Sequence, residues 1–428
     1  MRILIGSDFY PPVIGGGQRQ TQLLARGLAH RGHAVMVATV WHPGTAKREN
    51  DCGVEVHRLK ELRNWLPRPG KWPAQSHQPP YPDPVTTWGL WQLIERWRPD
   101  VVHSTGWLTF SMAVALAGKR TPLVFRANDY CCACATRTLL LHGTEPCAGP
   151  SLAKCPACAA ELYGGLKGWV SVAGVAAGRL LLRRKVRAVQ NVSTYMQEMV
   201  RRDLFGGPPS GVVEAVLPGF GESSDVAGTG QDPSVMACVD LLPNEPYMMF
   251  VGALRRVKGI AQLLAAYQQL ALAPPLVLIG TLEADAPKVF PPGVVVLQNF
   301  PHAAVMAAWE RSLFGVFPSL WPEPSGNVVY EAMSKGKAVI GTVPGGHADM
   351  IVDGQTGFLV PAGDVDALTS AMRTLLEDPL FRERAGAAAL ERSREFNADV
   401  VLPRLESLLV KVAQAPASTP SPVPSGVS

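Results

Sequence analysis

The sequence predicts an α/β protein of two domains, each built on a parallel sheet. Two observations predict this architecture. Both halves of the 428-residue chain alternate short apolar runs with helical segments, and a Gly-, Ser- and Asp-rich stretch at 221–245 separates the halves. A hydrophobic content of 47% with 18% charged residues is typical of a well-cored globular protein.

Charge and composition exclude several classes of protein. The net charge of +5 is too mild to indicate a nucleic-acid reader, and we expect no nucleic-acid partner. It suits anionic small molecules or an anionic membrane surface. No apolar run approaches the ~20 residues that span a bilayer, and the first residues lack a signal-peptide pattern. We therefore expect a cytoplasmic protein, with peripheral contact to the inner face of the membrane left open.

The first half begins with a strand, a glycine run and a helix. Apolar runs at 2–9 and 34–40 predict strands on either side of a helical segment. Gly15, Gly16 and Gly17 thus lie at a strand–helix junction, where Rossmann-like folds meet a phosphate or substrate. Their spacing is not G-x-G-x-x-G, so a dinucleotide site is only weakly indicated, and a plain turn is the simpler alternative.

Two later strand ends in this half carry polar residues. The run at 100–105 ends near His103, and the run at 122–129 ends in Asn128 and Asp129. An asparagine side chain donates and accepts hydrogen bonds but carries no charge at pH 7. A single histidine at a strand end is more often structural than functional.

Six cysteines fall within 28 residues, at 131–158. Cys134, Cys147, Cys155 and Cys158 follow the spacing C-x12-C-x7-C-x2-C, which could form a tetrahedral structural zinc site. The alternatives are disulfides, which a reducing cytoplasm disfavours, and unmetallated thiols. Zinc here would stabilise an insertion without taking part in the chemistry.

A basic helix is predicted at 166–189. This stretch combines a helix-prone apolar run with a cluster of cations near its end: Arg179, Arg183, Arg184, Lys185 and Arg187. Such a helix can lie on an anionic membrane surface. A packed helix with a solvated basic end is the commoner arrangement.

The second half restarts with an apolar strand at 247–254 and a helix. Arg255, Arg256 and Lys258 stand at the start of that helix. Cations at a helix N-terminus are locally unfavourable, which favours an anionic ligand there.

A strand–loop–helix–strand unit at 319–346 organises this half. Glu323 stands in the loop, and Glu331 follows two helical turns later, so both can face one crevice. Between the two carboxylates, backbone amides point out of a helix N-terminus, which is a natural anion site. These amides belong to Gly326, Asn327 and Val328.

The segment E-P-S-G-N-V-V-Y-E at 323–331 resembles the E-x7-E motif of retaining glycosyltransferases of family 4, which have the GT-B fold. The continuation at 336–368, with its glycine pair and D-G-Q-T-G-F-L-V, is similar to the C-terminal half of that family. A weaker resemblance extends from residue 1 to about 395.

The resemblance implies two Rossmann-like parallel-sheet domains facing a central cleft. The chain would divide into five parts. An acceptor-side domain at 1–222, with the cysteine-rich insertion at 131–158, would be followed by a linker at 223–245 and a nucleotide-sugar-binding domain at 246–395. A crossover helix at 396–414 and a disordered low-complexity tail at 415–428 would complete the chain.

The resemblance also implies roles for individual residues. Glu323 would hold the sugar hydroxyls, Glu331 the ribose, and Lys258 the diphosphate. The implied catalytic set is Glu323, Lys258, Arg255 and Asn128. The implied donor-binding set is Gly16, Gly17, Arg256, Ser325, Gly326, Asn327, Val328, Glu331 and Asn299.

Two positions depart from the family pattern. Asn128 stands where the family commonly has a histidine, and Ala253 stands where it has an arginine. His103 could replace the missing histidine in part, and Arg255 or Arg256 could reach the diphosphate instead of residue 253.

We therefore expect retaining transfer of a hexose from a UDP- or GDP-hexose to a hydroxyl of a glycan, a lipid-linked sugar or a small molecule, without a catalytic metal. Two alternatives stay open. One is a nucleotide-sugar 2-epimerase, and the other is a non-catalytic sugar-nucleotide-binding paralogue, which Asn128 and Ala253 suggest.

Overall fold

The computed structural model describes residues 1–13, 15–65, 78–221 and 232–415. The chain forms two compact units. The first unit has three segments: Met1–His142, Cys147–Leu217 and Leu402–Ser428. The second has two: Gly143–Pro146 and Pro218–Val401. The short segment in the second unit comes from the cysteine-rich insertion, which the sequence assigned wholly to the first domain.

Ten strands lie between residues 1 and 221 in the described part of the chain: β1 (Arg2–Ser7), β2 (Ala34–Val40), β3 (Arg48–Asp51), β4 (Val54–Leu59), β5 (Val101–Thr105), β6 (Leu123–Ala127), β7 (Leu140–Leu141), β8 (Glu145–Pro146), β9 (Val186–Asn191) and β10 (Val213–Val216). Eight of them form one sheet in the order β10-β9-β6-β5-β1-β2-β4-β3. All neighbours are parallel except β3 and β4. Strands β5 and β6 are buried throughout, as expected for a parallel sheet covered on both faces.

The helices that precede residue 200 are α1 (Gly16–His30), α2 (Pro84–Trp97), α3 (Leu108–Ala115), α4 (Cys155–Tyr163), α5 (Gly165–Lys185) and α6 (Thr194–Met199). Local sequence explains where several of them begin. Asp83 caps α2 by accepting from the Thr86 amide at 2.9 Å, with Pro84 as the first helical residue. Helix α5 ends four residues before the predicted 166–189 segment does, because Val186 enters strand β9.

Six parallel strands form the sheet of the second unit: β11 (Tyr247–Val251), β12 (Leu276–Ile279), β13 (Val294–Leu297), β14 (Ser312–Phe317), β15 (Ala338–Val343) and β16 (Gly357–Pro361). Their order in the described residues is β13-β12-β11-β14-β15-β16. Apolar clusters on the two faces of this sheet form the core, with Phe314 on one face and Trp309 on the other.

The helices of the second half are α7 (Pro233–Val239), α8 (Ile260–Gln268), α9 (His302–Arg311), α10 (Asn327–Ser334), α11 (His347–Met350), α12 (Val365–Glu377), α13 (Pro379–Ser393) and α14 (Ala398–Gln414). Part of the predicted linker 223–245 is therefore helical. Helix α7 lies in it, and Leu242 packs into the core beside Trp309 because it is apolar and follows that helix directly. Residues 222–231 and 416–428, from the predicted linker and tail, lie outside the described residues.

Helix α14 belongs to the first unit from Leu402 onward. A Cβ placed on Gly27 of α1 would come within 2.5 Å of the Leu402 side chain, so the two helices pack closely. Glu406 accepts from Arg31 at 2.7 Å and contacts His33 at 2.8 Å. This chain end is thus held by apolar contact and by ion pairing.

His103 lies within the first sheet and is 2% exposed. Its Nε2 donates to Oε1 of Gln190 on β9 at 2.7 Å, and Gln190 donates in turn to the Leu217 carbonyl at 3.2 Å. Burial, followed by the charge of Arg126, lowers the pKa of His103 to about 4. These contacts give His103 a structural role in the sheet.

The lowered pKa of His103 predicts a pH-dependent stability. An exposed histidine in the unfolded chain titrates near pH 6.5. Between about pH 6.5 and 4 the unfolded state therefore binds a proton that folded His103 does not, so His103 alone lowers the free energy of unfolding by about 1.4 kcal/mol per pH unit as pH drops. Urea unfolding between pH 7 and 4.5 measures this slope. His103→Gln should lower stability at pH 7 and flatten the slope, whereas substitution of the exposed His30 should leave it; an unchanged slope in His103→Gln would contradict the assignment.

Candidate active site

Residues from the motifs singled out in the sequence follow the carboxyl ends of neighbouring strands in the second unit. Lys258 follows β11, Glu323 follows β14, and Gly345 and Gly346 follow β15. Ligands of open α/β sheets bind at this edge. The topology therefore gathers residues that are up to 88 positions apart in sequence (346 − 258) into one place.

Glu323 is held by three donors that converge on one oxygen. Its Oε1 accepts from Lys258 Nζ at 2.6 Å, Ser319 Oγ at 2.6 Å and Trp321 Nε1 at 2.7 Å. The residue is 8% exposed. None of the three donors uses Oε2, so that oxygen can accept from a ligand.

The charge on Glu323 is fixed by its neighbours. Burial acts to raise the pKa of Glu323, but the Lys258 ammonium and then His347 outweigh burial, and the pKa lies below its usual value. His347 is itself buried, and burial lowers its pKa to about 4. At neutral pH the site thus holds a carboxylate paired with an ammonium beside a neutral imidazole.

Close backbone approaches position this carboxylate. Gly346 N donates to the Glu323 carbonyl at 2.6 Å. Gly345 has φ 146°, and a Cβ there would lie 2.8 Å from Glu323 N. Gly259, next to Lys258, has φ 72°, and its Cβ would lie 1.8 Å from the Pro318 carbonyl oxygen. Only glycine fits these two positions, which explains the glycines that flank the loop.

Gly326, three residues after Glu323, is the N-cap of helix α10, which begins at Asn327. The first bond of the helix runs from the Tyr330 amide to the Gly326 carbonyl at 2.9 Å. The amides of Asn327 and Val328 precede it and have no acceptor within the helix. The buried Oγ of Ser325 also has no hydrogen-bond partner. This helix start therefore presents unused donors.

Glu331 lies on one side of α10 and is half-buried. Its Oε1 contacts His302 Nε2 at 3.1 Å. Asn299, after β13, is exposed and has φ 60°, a left-handed conformation that asparagine tolerates. Histidine at 302 was missed from the sequence because it lies at the start of a separate helix.

The two arginines predicted for the donor phosphate do not join this cluster. Arg255 Nε lies 4.0 Å from the Asp285 carboxylate, and both side chains are 44% exposed. Arg256 Nη2 donates to the Gly143 carbonyl at 2.9 Å. Of the three predicted cations, Lys258 is the one whose contact with Glu323 the structure shows.

The first unit has its own cavity, of about 180 Å³, at the carboxyl edge of its sheet. Asp8 follows β1, Thr105 ends β5, and Asn128 and Asp129 follow β6; Gly17 lines it from the first turn of α1. The predicted Gly16–Gly17 turn is in fact the start of that helix, because Gly15 serves as the N-cap. Gly16, next to the cavity-lining Gly17, is exposed.

An ion-pair network crosses this cavity. Arg137, from the cysteine-rich insertion, contacts Asp8 Oδ2 at 3.1 Å and also pairs with Asp129. Asp8 further accepts from the Leu108 amide at 2.7 Å, at the start of α3. The analysis of the sequence missed Asp8 and Arg137. Asp8 had a signal, since it follows the first strand directly, but Arg137 had none.

Asn128 accepts from the Thr105 hydroxyl through its side-chain oxygen. Its amide nitrogen faces Gly17, at 3.8 Å from where a Cβ would be. The carboxamide is thereby oriented with its oxygen toward the sheet and its NH₂ group toward the cavity wall. This geometry suits a hydrogen-bond donor to a ligand oxygen.

The four cysteines predicted to bind zinc are half-buried free thiols. The Ser151 amide donates to Cys155 Sγ at 3.2 Å, and the His142 amide to Cys158 Sγ at 3.3 Å. Across the described ranges, no group of three or more His, Cys, Asp or Glu side chains is arranged to hold a metal ion. The thiols of Cys134, Cys147, Cys155 and Cys158 are thus not arranged as a metal site in this part of the chain, and metal binding stays a prediction.

Two family profiles match most of the chain. The profile described as Glycosyl transferase 4-like domain matches residues 15–219, and the one described as Glycosyl transferases group 1 matches residues 239–392. The chain belongs to family 4 of the glycosyltransferases. This confirms the family and the enzyme class expected from the E-x7-E motif. The protein is a glycosyltransferase with a nucleotide-sugar donor.

Full-length relatives support this assignment. The chain is 26% identical to the glycogen synthase of Mycobacterium tuberculosis (strain H37Rv) over 436 residues, covering 92% of this chain and 90% of the relative. It is 28% identical to the alpha-maltose-1-phosphate synthase of Mycolicibacterium smegmatis over 431 residues, covering 92% and 95%.

Solved structures confirm the GT-B fold of this glycosyltransferase. Sucrose-phosphate synthase from Thermosynechococcus elongatus has a TM-score of 0.71 at 19% identity, covering 96% of this chain and 98% of that one. HepE from Anabaena, in complex with UDP-glucose, has a TM-score of 0.66 at 16% identity, covering 96% and 100%.

The Lys258–Glu323 pair allows stability to be separated from activity. Lys258→Met leaves a buried carboxylate without its cation, which should destabilise the protein by about 3 kcal/mol. Adding Glu323→Gln removes that charge and should restore most of the stability but not the activity. Thermal unfolding and a sugar-transfer assay on wild type, both single variants and the double variant measure the two effects. Equal destabilisation of Lys258→Met and the double variant would show that the pair does not carry this energy.

Proposed function

We propose that this protein is a retaining glycosyltransferase that moves a hexose from a UDP-hexose to a hydroxyl of an uncharged acceptor. The donor would bind to the second unit and the acceptor to the first. The observation that carries the proposal is the site around Glu323. The Glu323 carboxylate is ionised and buried, and its Oε2 is available to a ligand. Three residues later, the N-terminus of α10 presents hydrogen-bond donors that have no acceptor.

The donor assignment follows from complementary charge. Bond cleavage in the sugar nucleotide leaves negative charge on the diphosphate, and stabilising that charge is the main task of catalysis. Lys258, Ser325 Oγ and the amides of Asn327 and Val328 supply positive charge and hydrogen-bond donors. Glu331 would accept from the ribose hydroxyls. Uridine is favoured because HepE is described with UDP-glucose.

One feature supports retention: the E-x7-E motif, here Glu323 to Glu331, resembles that of retaining family 4 enzymes. Lys258, Ser319 and Trp321 hold Oε1 of Glu323, and its lowered pKa makes it an unsuitable general acid. We assign it to binding sugar hydroxyls. The acceptor oxygen would attack the same face that the diphosphate leaves, and its proton would pass to an oxygen of the leaving diphosphate.

The first-unit cavity supports an uncharged acceptor. Among the described residues that line the cavity, Arg137 is the one cation. It already pairs with Asp8 and Asp129. The net charge of this trio is −1, which disfavours a phosphate group. Asp129 and the Asn128 amide are suited to hydroxyl groups. The cavity, of about 180 Å³, is much larger than the ~10–15 Å³ that admits one water molecule, so it has room for a small polar group such as a sugar ring.

The donor and the stereochemistry are tested together. Wild type should release UDP from UDP-glucose in the presence of a glycan acceptor more readily than it releases GDP from GDP-mannose. Proton NMR of the product should show an α-anomeric linkage, as in the donor. Glu323→Gln should lower kcat by on the order of 10²–10³-fold. Glu310→Gln, an exposed substitution on α9, is the matched control. A β-linked product would refute retention, and no turnover across a donor panel would refute the activity.

The acceptor is tested by Asp129→Asn. This isosteric change removes one of the two carboxylates on Arg137, so the cavity should admit phosphorylated sugars better. We expect KM for an uncharged acceptor to rise about tenfold, the size of one charge-assisted hydrogen bond, and its advantage over the phosphorylated form to shrink. Asp100→Asn, on the surface, is the control. Preference of the wild type for a phosphorylated acceptor would overturn this assignment while leaving the donor assignment intact.

A further inference from the structure

Helix α5 turns large apolar side chains toward solvent along its length. Leu166 is 81% exposed, Trp169 58%, Val170 45% and Leu180 53%. Their spacing of three, four and ten positions places them on one face of a helix. The exposed Ala173 and Ala177 fill the gap. We call these six residues, which span about 20 Å, the apolar stripe.

The inward face of α5 combines three glycines with Val172, Val175 and Leu182, and the glycine contacts fix the rotation of the helix about its axis. A Cβ on Gly168 would lie 2.6 Å from the Ala160 backbone of α4. One on Gly174 would lie 2.5 Å from the Pro80 carbonyl, and one on Gly178 would lie 2.4 Å from the Phe110 ring. Because these contacts have no room for side chains, the helix cannot rotate to bury the apolar stripe. Helix α5 is therefore apolar on its outward as well as its inward face, whereas an ordinary surface helix is polar on its outward face.

The charge of α5 has one sign. Its 21 residues contain five cations and no aspartate or glutamate. Lys167 and Arg184, near the two ends, are exposed. Arg183 donates to the Leu204 carbonyl and so belongs to the fold. An apolar face bordered by lysine and arginine complements a surface that is apolar beneath an anionic layer.

Two further exposed apolar side chains lie near α5. Leu162, at the end of α4, is 61% exposed and lies four positions before Leu166. Tyr81 is 42% exposed, and its ring lies 3.4 Å from the Cβ position of Gly174. Tyrosine and tryptophan have an apolar body and a polar tip, which suits the boundary between water and lipid.

We propose that α5 lies in the plane of an anionic membrane, with the apolar stripe at the boundary between headgroups and acyl chains. Within the described ranges, no helix is both long and apolar enough to cross a bilayer, so the contact is a peripheral one. The inference is independent of the proposed function, because it uses none of the residues of either site.

A second copy of this chain is the competing occupant. Symmetric pairing through the apolar stripe would place the cations of one α5 against those of the other, and like charges across an interface are unfavourable. A lipid surface satisfies both the apolar and the cationic part of the face.

Vesicle flotation with the purified full-length protein tests the proposal. The vesicles contain phosphatidylcholine alone or phosphatidylcholine with phosphatidylglycerol. Wild type should float with the anionic vesicles and not with the neutral ones, and high salt should weaken this binding. The double variant Leu166→Glu/Trp169→Glu should bind about tenfold less, because it places two acids in the apolar stripe. Both positions are exposed, so the variant should keep the circular dichroism and melting temperature of wild type.

The matched control is Leu272→Glu, because Leu272 is a fully exposed leucine in the second unit. It should float like wild type. The proposal is overturned if wild type does not bind anionic vesicles, or if the double variant binds as well as the control. Light scattering of the same proteins measures their oligomeric state. If wild type is a dimer and the double variant a monomer, the apolar stripe binds a second copy of the chain and the proposal is overturned.

Discussion

The buried ion pair between Lys258 and Glu323 is the interaction on which the second site depends. A carboxylate that is 8% exposed is costly to keep ionised unless a cation and further donors compensate it. Here the ammonium, a hydroxyl and an indole N–H all meet one oxygen. The consequence is a fixed acceptor: the side chain cannot rotate without losing three contacts, and the oxygen left over has a defined position.

Backbone contacts between strand ends make this pair possible. Lys258 comes from one strand end and Glu323 from the next, and the loops that carry them must approach closely. Gly259 and Gly345 permit that approach, since any side chain there would overlap a carbonyl oxygen or an amide. These glycines therefore set the distance between the Lys258 ammonium and the Glu323 carboxylate. That distance determines the strength of their attraction.

Sequence patterns anticipated local structure better than they anticipated long-range contacts. Strand 34–40 follows directly from an apolar run rich in valine and appears with those bounds. The proximity of Glu323 and Lys258 was accessible because both fall in motifs that the family resemblance orders. The pairing of Arg137 with Asp8 was not, because it joins residues 129 positions apart through a left-handed turn at Arg137 itself. No local pattern encodes such a contact.

Sequence analysis identified α5 as a basic helix that can lie on a membrane, but it did not show which side of the helix faces outward. Its inward glycines and outward leucines are all apolar by type, so no amphipathic period distinguishes one face from the other. The direction of each face is set by Phe110, Pro80 and Ala160, which are distant in sequence.

The departures at Asn128 and Ala253 shift where the protein places its charges. With Arg255 and Arg256 engaged elsewhere, Lys258 is the cation that the structure places beside Glu323. Under the proposed function, stabilisation of the leaving diphosphate then depends strongly on the peptide dipoles of α10 and on the Ser325 hydroxyl. Such donors carry no mobile counter-ion atmosphere and need no proton transfer, so they act equally well over a wide range of pH. Asn128 is the corresponding case in the first unit, since a neutral carboxamide cannot titrate, and Arg137 already pairs with both carboxylates around it. Both replacements exchange side-chain charge for fixed dipoles.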